Sequence, residues 1–476
     1  MNAAVEFGDF QTPHALCRQV CHVLSQSGLS PASIVEPTCG KGSFLRTSTR
    51  VFPDCRSILG FEINPVYAEE AAAIDGISVR QADFFATDWP DVFSMLPEPV
   101  LVIGSPPWVT NSSIGSLNGS NLPVRSNLLN MPGMAAITGR SNFDISEWMM
   151  LHLLETLSGR HAVLAMLCKT TVARKVLKRA WTSGLPIGTA SMRSIDALYH
   201  FGAAVPASLL VCEMGNGAPG RKCIMYPGIA SDEPSATFVL MNGGLVSDVK
   251  NAETYAGLEG TSPLRWRSGV KLDCSQVMEL RSCGGRFWDG LGESVEIEDI
   301  FIYPMMKSSD LARSAWPPTR HMLVPQKFVG EDTSRIADEA PSTWQYLQAH
   351  GPYLDRRASR IYRNRPRLSI FGVGEYTFAP WKVAISGFYK RLEFSVIGSV
   401  ENKPVVLDDT CYFLPLASRG DADTVASLLH SDLAQGFLRS RIFWDAKRPI
   451  TAGLLCSLNL AAVADRLGVN LPSADR

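Results

Sequence analysis

The chain has no run of eighteen apolar residues, no Cys-x-x-Cys pair and no surplus of charge of either sign. Each lack removes a class of protein. Without such a run no membrane span is expected. The first residues also lack the basic-then-apolar pattern of a secretory signal. The eleven cysteines stand at irregular spacings, which reads as reduced thiols in a cytosolic protein, with no structural zinc site and no metal. Forty-five basic residues against forty-six acidic ones leave a net charge of −1. That excludes a uniformly basic, histone-like binder but leaves room for a local basic stripe on nucleic acid. No internal repeat or low-complexity tract is present, and 476 residues suit two or three domains.

What is there reads as an α/β protein. Leu16, Val20 and Leu24 lie on one face of a helix over 14–28. Short apolar strands follow at 33–35, 57–61, 77–81 and 99–103, with helices from Ser43 and over 65–74. A helix over 147–157, a strand over 161–168, a helix over 171–181 and a strand over 207–213 complete the sheet. Alternation of this kind predicts a mostly parallel sheet, whose ligands sit at the carboxyl ends of strands. After Glu213 the composition turns Gly-rich and the alternation stops. The domains are therefore placed at 1–225 and 226–476. Residues 109–142, rich in Asn, Ser and Gly, form a long loop expected to cover the site or touch its substrate.

The strand ends carry the chemistry. Val35-Glu36-Pro37-Thr38-Cys39-Gly40-Lys41-Gly42 opens a helix. Its glycines permit a sharp turn and close approach of a ligand, and the helix start offers free N–H groups. Glu62 ends the next strand, where an acid holds ribose hydroxyls. Asp83 ends the third and is placed to accept from an adenine amino group, with Phe84 beside it to stack on the ring. Ser105-Pro106-Pro107-Trp108 follows the apolar strand 99–103. Two prolines end the ladder and stiffen the turn, giving a shelf with a hydroxyl, a carbonyl and an indole, the groups needed to hold an extruded base by its amino group and its face.

This motif order resembles the S-adenosylmethionine-dependent DNA amino-methyltransferases. It runs Asp9-Phe10-Gln11-Thr12-Pro13, then Glu36 to Gly42, Glu62, Asp83-Phe84 and Ser105 to Trp108. It is similar to the γ arrangement, in which a target-recognition domain ends the chain. The resemblance implies a Rossmann-like class I methyltransferase domain followed by a mixed α/β target-recognition domain. It also implies roles. Phe10, Thr12 and Pro13 line the methionine end of S-adenosylmethionine. Glu36, Thr38, Gly40 and Gly42 hold its amino acid moiety and shape the turn. Glu62 takes the ribose, and Asp83 with Phe84 the adenine. Ser105, Pro106, Pro107 and Trp108 receive the target base, with Phe201 on its opposite face. The implied activity is adenine-N6 methylation of double-stranded DNA in a restriction-modification or related defence system, in a prokaryotic or phage-encoded cytoplasmic protein associated with the nucleoid. Any restriction endonuclease would be a separate chain.

Ser105 departs from that pattern, because the adenine enzymes usually carry Asn or Asp there and Ser is more typical of cytosine-N4 enzymes. Cytosine N4 therefore stays open, as does a non-catalytic DNA-binding subunit retaining the fold. A methyltransferase acting on RNA or on a protein glutamine amide is a further alternative; the long basic-aromatic C-terminal half speaks against the small protein-modifying type. The absence of a Pro-Cys motif argues against carbon-5 cytosine enzymes. That C-terminal half resembles the specificity regions of restriction-system adenine methyltransferases at 266–271, 371–382 and 408–413. Its arginines alternate with aromatics over 351–391, as suits phosphate and base contacts. DNA contacts are assigned to Arg267, Lys271, Arg363, Arg365, Arg367 and Lys382, and to Lys447 and Arg448.

Overall fold

A computed structural model describes residues 11–109, 144–215, 219–357, 359–362 and 365–473. Phe10, Arg363 and the stretch 110–142 of the expected loop lie outside the described residues.

The chain divides into two units, Met1–Ser247 and Asp248–Arg476. The first is built on one ten-stranded sheet. Its strands are β1 (Ser33–Glu36), β2 (Ser57–Glu62), β3 (Ser78–Gln81), β4 (Val100–Gly104), β5 (Ala162–Lys169), β6 (Ile187–Ile195), β7 (Ala207–Met214), β8 (Lys222–Tyr226), β9 (Ala236–Met241) and β10 (Gly244–Val246). The spatial order is β10-β9-β8-β6-β7-β5-β4-β1-β2-β3. Strands β3, β2, β1, β4 and β5 run parallel, whereas β7 is antiparallel to both β5 and β6. The chain order reverses between β1 and β4, so the crevice of this sheet opens at their carboxyl ends.

Burial explains the strands. Every residue of β1 and β4 is buried, as expected of strands covered on both faces, which need uninterrupted apolar runs. The helix His14–Gln26 buries Leu16, Val20 and Leu24, spaced by one turn. These side chains pack with Phe44 and Leu45 of the helix Ser43–Val51 over Ile34, Leu101 and Ala165 of the sheet. Each buried leucine contributes on the order of 2 kcal/mol.

The sheet does not end at residue 213. Strand β6 and the strands β8, β9 and β10 also belong to it. Their burial alternates or is partial, so they lack the apolar runs that mark β1, β4 and β5.

The second unit holds two smaller sheets. One orders β11 (Arg267–Ser268), β20 (Cys411–Leu416), β17 (Trp381–Ser386) and β18 (Ser395–Ile397). Val383, Ile385 and Leu414 of this sheet share a core with Val425 and Phe437 of the helices Arg419–His430 and Asp432–Arg439. The other orders β14 (Ser294–Val295), β13 (Arg286–Trp288), β12 (Glu279–Cys283), β16 (Arg320–Leu323), β15 (Ile302–Met306) and β19 (Val406–Leu407). No helix among the described residues is long and apolar enough to cross a membrane.

Candidate active site

At the carboxyl end of β1 the Glu36 side chain is 3% exposed, and its Oε2 has no hydrogen-bond partner. Burial pushes its carboxyl well above the ordinary carboxylate range, against the pull of the Leu45 main chain. An unpaired buried acid is costly. Such a group is a candidate functional residue on physical grounds.

The turn after it is braced by the next strand end. The Gly40 N–H donates to Glu62 Oε2 (2.8 Å), and the Asn64 N–H donates to Glu62 Oε1 (2.8 Å). Glu62 thus ties the Gly40 turn to the start of the helix Pro65–Ala72, whose N-cap is Asn64. Gln11 holds the other side, its Oε1 accepting from the Lys41 N–H at 3.1 Å. Gly42 has φ 78° and precedes the helix Ser43–Val51. A Cβ there would stand 2.7 Å from Ile74 Cδ1, so both conformation and space require glycine. Thr12 and Thr38 are half-buried, and the Pro13 carbonyl accepts from Leu16 N–H, starting the first helix.

Asp83 accepts from the Phe85 N–H through Oδ1 (2.9 Å). Phe84 is buried rather than displayed. Its ring lies 4.9 Å from that of Trp89 and 6.0 Å from that of Trp148, and the Trp89 indole N–H donates to the Phe84 carbonyl.

The Ser-Pro-Pro-Trp shelf stands beside Glu36, because β4 pairs with β1. A Cβ placed on Gly104 would lie 3.4 Å from Glu36 Cγ. Neither the Ser105 hydroxyl nor the Pro106 carbonyl has a hydrogen-bond partner among the described residues. Trp108 is fixed at both ends. Its indole N–H donates to the Leu167 carbonyl (3.1 Å), and its own carbonyl accepts from Lys169 Nζ (2.8 Å). Phe201 meets Trp108 directly, with ring centroids 5.1 Å apart in an edge-to-face pair.

Lys169 carries no signal in the sequence, yet it clasps two distant segments. Its Nζ also lies 2.7 Å from Asp144 Oδ2, and Asp144 is buried and caps the helix Ile145–Thr156. One ammonium therefore joins the Trp108 main chain to that helix, which presents Trp148 to Phe84. Lys169→Met leaves the Asp144 carboxylate buried and unpaired. Full burial would cost about 3–5 kcal/mol; with the lysine partly exposed, about 1–3 kcal/mol is expected. Thermal melts check this: the single variant melts lower, and Lys169→Met with Asp144→Asn recovers part of the loss.

The expected basic face is only partly a face. Lys382 is 1% exposed, donates to the Ala379 carbonyl (2.7 Å) and has a pKa lowered to about 7 by burial. It sits inside β17, so it takes no part in an exposed basic stripe. Arg367 pairs with Asp355 through two nitrogens at 3.0 and 2.8 Å. Arg357 stacks on Tyr362 at 3.7 Å and donates to main-chain carbonyls. Arg267 lies over Tyr376 at 4.5 Å, Arg448 over Phe388 at 4.5 Å, and Lys271 is 3.4 Å from Asp273. Arg365 and Lys447 are exposed and have no ion-pair partner among the described residues. Asp289, Glu293 and His350 also gather within 4.8 Å, where Asp289 is satisfied by Tyr346 and two main-chain N–H groups.

Comparison with known proteins gives the family. No protein-family model matches the chain. It is 42% identical over 470 residues to the Type II methyltransferase M.NspV of Nostoc sp. (strain ATCC 29411 / PCC 7524), covering 97% of each chain. It is 34% identical over 98 residues to the Type II methyltransferase M.CvrRI of Paramecium bursaria Chlorella virus XZ-6E, covering 21% of this chain and 24% of that one. Among solved structures it is similar in fold, at 13% identity and a TM-score of 0.52, to the Type IIL restriction-modification enzyme MmeI in complex with DNA; the likeness covers 99% of this chain and 74% of that one. With 42% identity along nearly its whole length to such an enzyme, the chain belongs to the Type II methyltransferases.

Proposed function

We propose that this methyltransferase transfers the methyl group of S-adenosylmethionine to the exocyclic N6 of an adenine extruded from duplex DNA. The observation that carries the reading is the pairing of β1 with β4. It sets the orphaned Glu36 Oε2 next to a shelf whose Ser105 hydroxyl and Pro106 carbonyl are unengaged.

The residues fit the cofactor. A buried carboxylate oxygen lacking a partner is matched by an ammonium such as that of the methionine moiety. The Glu62 carboxylate accepts one N–H on each oxygen and retains lone pairs for ribose hydroxyls. Asp83, whose Oδ1 accepts from the Phe85 N–H, is the proposed acceptor for the adenine amino group, and the buried Phe84 backs that loop. When bound, S-adenosylmethionine supplies an electrophilic methyl group.

The chain's own groups prepare the nucleophile. An exocyclic amino nitrogen is poor at attack because its lone pair is delocalised into the ring. Ser105 Oγ and the Pro106 carbonyl each accept one of its hydrogens, favouring a pyramidal nitrogen aimed toward the cofactor. Trp108, pinned through Leu167 and Lys169, supplies the stacking face. Positioning and fixed dipoles then account for most of the acceleration. Phe201 contacts Trp108 edge-on, so it joins the base only by withdrawing from that contact.

Cytosine N4 is the second reading. Its supporting observation is Ser105 itself, whose short hydroxyl both donates and accepts. Adenine is favoured by the resemblance of the motif order, and of the stretches 266–271, 371–382 and 408–413, to restriction-system adenine methyltransferases. The second unit is proposed to read the target sequence, with Arg365 and Lys447 among its exposed cations. Salt-dependent affinity follows from such phosphate contacts.

Label transfer from S-adenosylmethionine to duplex DNA, RNA and protein tests the substrate class. Label in DNA alone is expected; label in RNA or protein with none in DNA contradicts the reading. Within DNA, Trp108→Ala lowers kcat/KM by roughly 5- to 150-fold, the worth of one base–aromatic stack of about 1–3 kcal/mol. Cofactor affinity by calorimetry stays unchanged.

A further inference from the structure

The segment between β6 and β7 lies at the same sheet edge as Glu36 and Ser105, because β6 runs parallel to β5 on either side of the reversed β7. It is a short, well-held prong. Asp196 caps the helix Ala197–Phe201 through a bond from the Tyr199 N–H (3.0 Å), and Gly202 ends it in the left-handed region at φ 66°. Ala197 is buried and roots it. Phe201 turns inward onto Trp108. Leu198 and Tyr199 turn outward, 62% and 81% exposed. The Tyr199 ring is braced edge-on against His200, with centroids 4.9 Å apart.

Two adjacent large apolar side chains in water, on a turn capped at both ends, have no structural use in the free protein. The residue two positions on touches the ring proposed to receive the base. At a rise of about 1.5 Å per helical residue, the outward pair stands within one turn of the base shelf. Extruding a base leaves a hole in the stack and an unstacked partner base. Filling that hole with an apolar or aromatic wedge offsets the cost. Resting on the DNA reading above, we infer that Leu198 and Tyr199 form a wedge that enters the duplex where the target base has left and holds the extruded state open.

The test uses two duplexes carrying the sequence that the enzyme methylates, as mapped by sequencing its modified DNA. One is fully paired, and the other is mismatched at the target base, so that it is already unstacked. Single-turnover methylation is compared for the wild type, Leu198→Ala/Tyr199→Ala and Tyr199→Phe. Both residues are exposed, so the melting temperature stays unchanged. The double variant is expected to be slowed roughly tenfold on the paired duplex, since unstacking costs a few kcal/mol. It should stay within about twofold of wild type on the mismatched one. Tyr199→Phe keeps the ring and is expected to restore the paired rate. Equal loss on both duplexes, or no loss on either, overturns the wedge while leaving the DNA reading intact. A wild-type protein that methylates neither duplex nor genomic DNA overturns the DNA reading itself.

Discussion

Ser105→Ala lowers kcat by on the order of 100-fold with cofactor affinity unchanged, the cost of losing one preorganised acceptor from a site whose work is positioning. The Ser105 hydroxyl has no partner among the described residues, so its removal breaks no internal bond and leaves stability unaltered. The pairing of Gly104 with Met166 at the end of β4 and two prolines after Ser105 hold the backbone, so alanine leaves the shelf in place. Calorimetry with S-adenosylmethionine, thermal melting and single-turnover methylation separate these effects. A kcat loss with intact binding and folding is the expected pattern.

Glu36→Gln weakens S-adenosylmethionine by roughly 30- to 1,000-fold, because a buried charge pair broken at one partner costs about 2–4 kcal/mol. The same change does not destabilise the free protein, since a neutral amide replaces a carboxyl whose charge burial disfavours. The pH dependence has a definite sign. The folded carboxyl has a raised pKa, so the folded state holds a proton that the unfolded state releases. Wild-type stability from this group is therefore full below the ordinary carboxylate range and falls as pH rises above it. Glu36→Gln loses that fall. Pairing with an ammonium favours the charged form, so cofactor binding to the wild type releases a proton and tightens as pH rises toward the raised pKa. Calorimetry in buffers of different ionisation enthalpy reads this release directly, and it vanishes in the variant.

Much of the first unit was legible because its central strands are buried on both faces. Val100–Gly104 and Ala162–Cys168 are continuous apolar runs, the first leading into Ser105-Pro106-Pro107-Trp108, and the helix faces repeat every turn. Strand β6, Ile-Gly-Thr-Ala-Ser-Met-Arg-Ser-Ile, was not legible: its buried positions are interrupted by half-buried and exposed ones, most of them polar. The turn glycines and strand-end acids could be read because close approach and strand polarity are local properties. The Lys169–Asp144 clasp could not, since it joins residues 25 apart by tertiary packing alone.

The arginine-aromatic alternation of 351–391 shows a different limit. Composition cannot tell a cation that waits for phosphate from one already spent. Arg367 is spent on Asp355, and Arg357 on Tyr362 and carbonyls. Lys382 occupies a buried strand position, where its ammonium finds the Ala379 carbonyl.

The central claim is best tested by the identity of the methylated base. The protein is incubated with unmethylated genomic DNA and labelled S-adenosylmethionine, the DNA is digested to nucleosides, and the labelled one is identified. The account predicts label in N6-methyladenine. Label in N4-methylcytosine would contradict it and make Ser105 the residue that sets the target base.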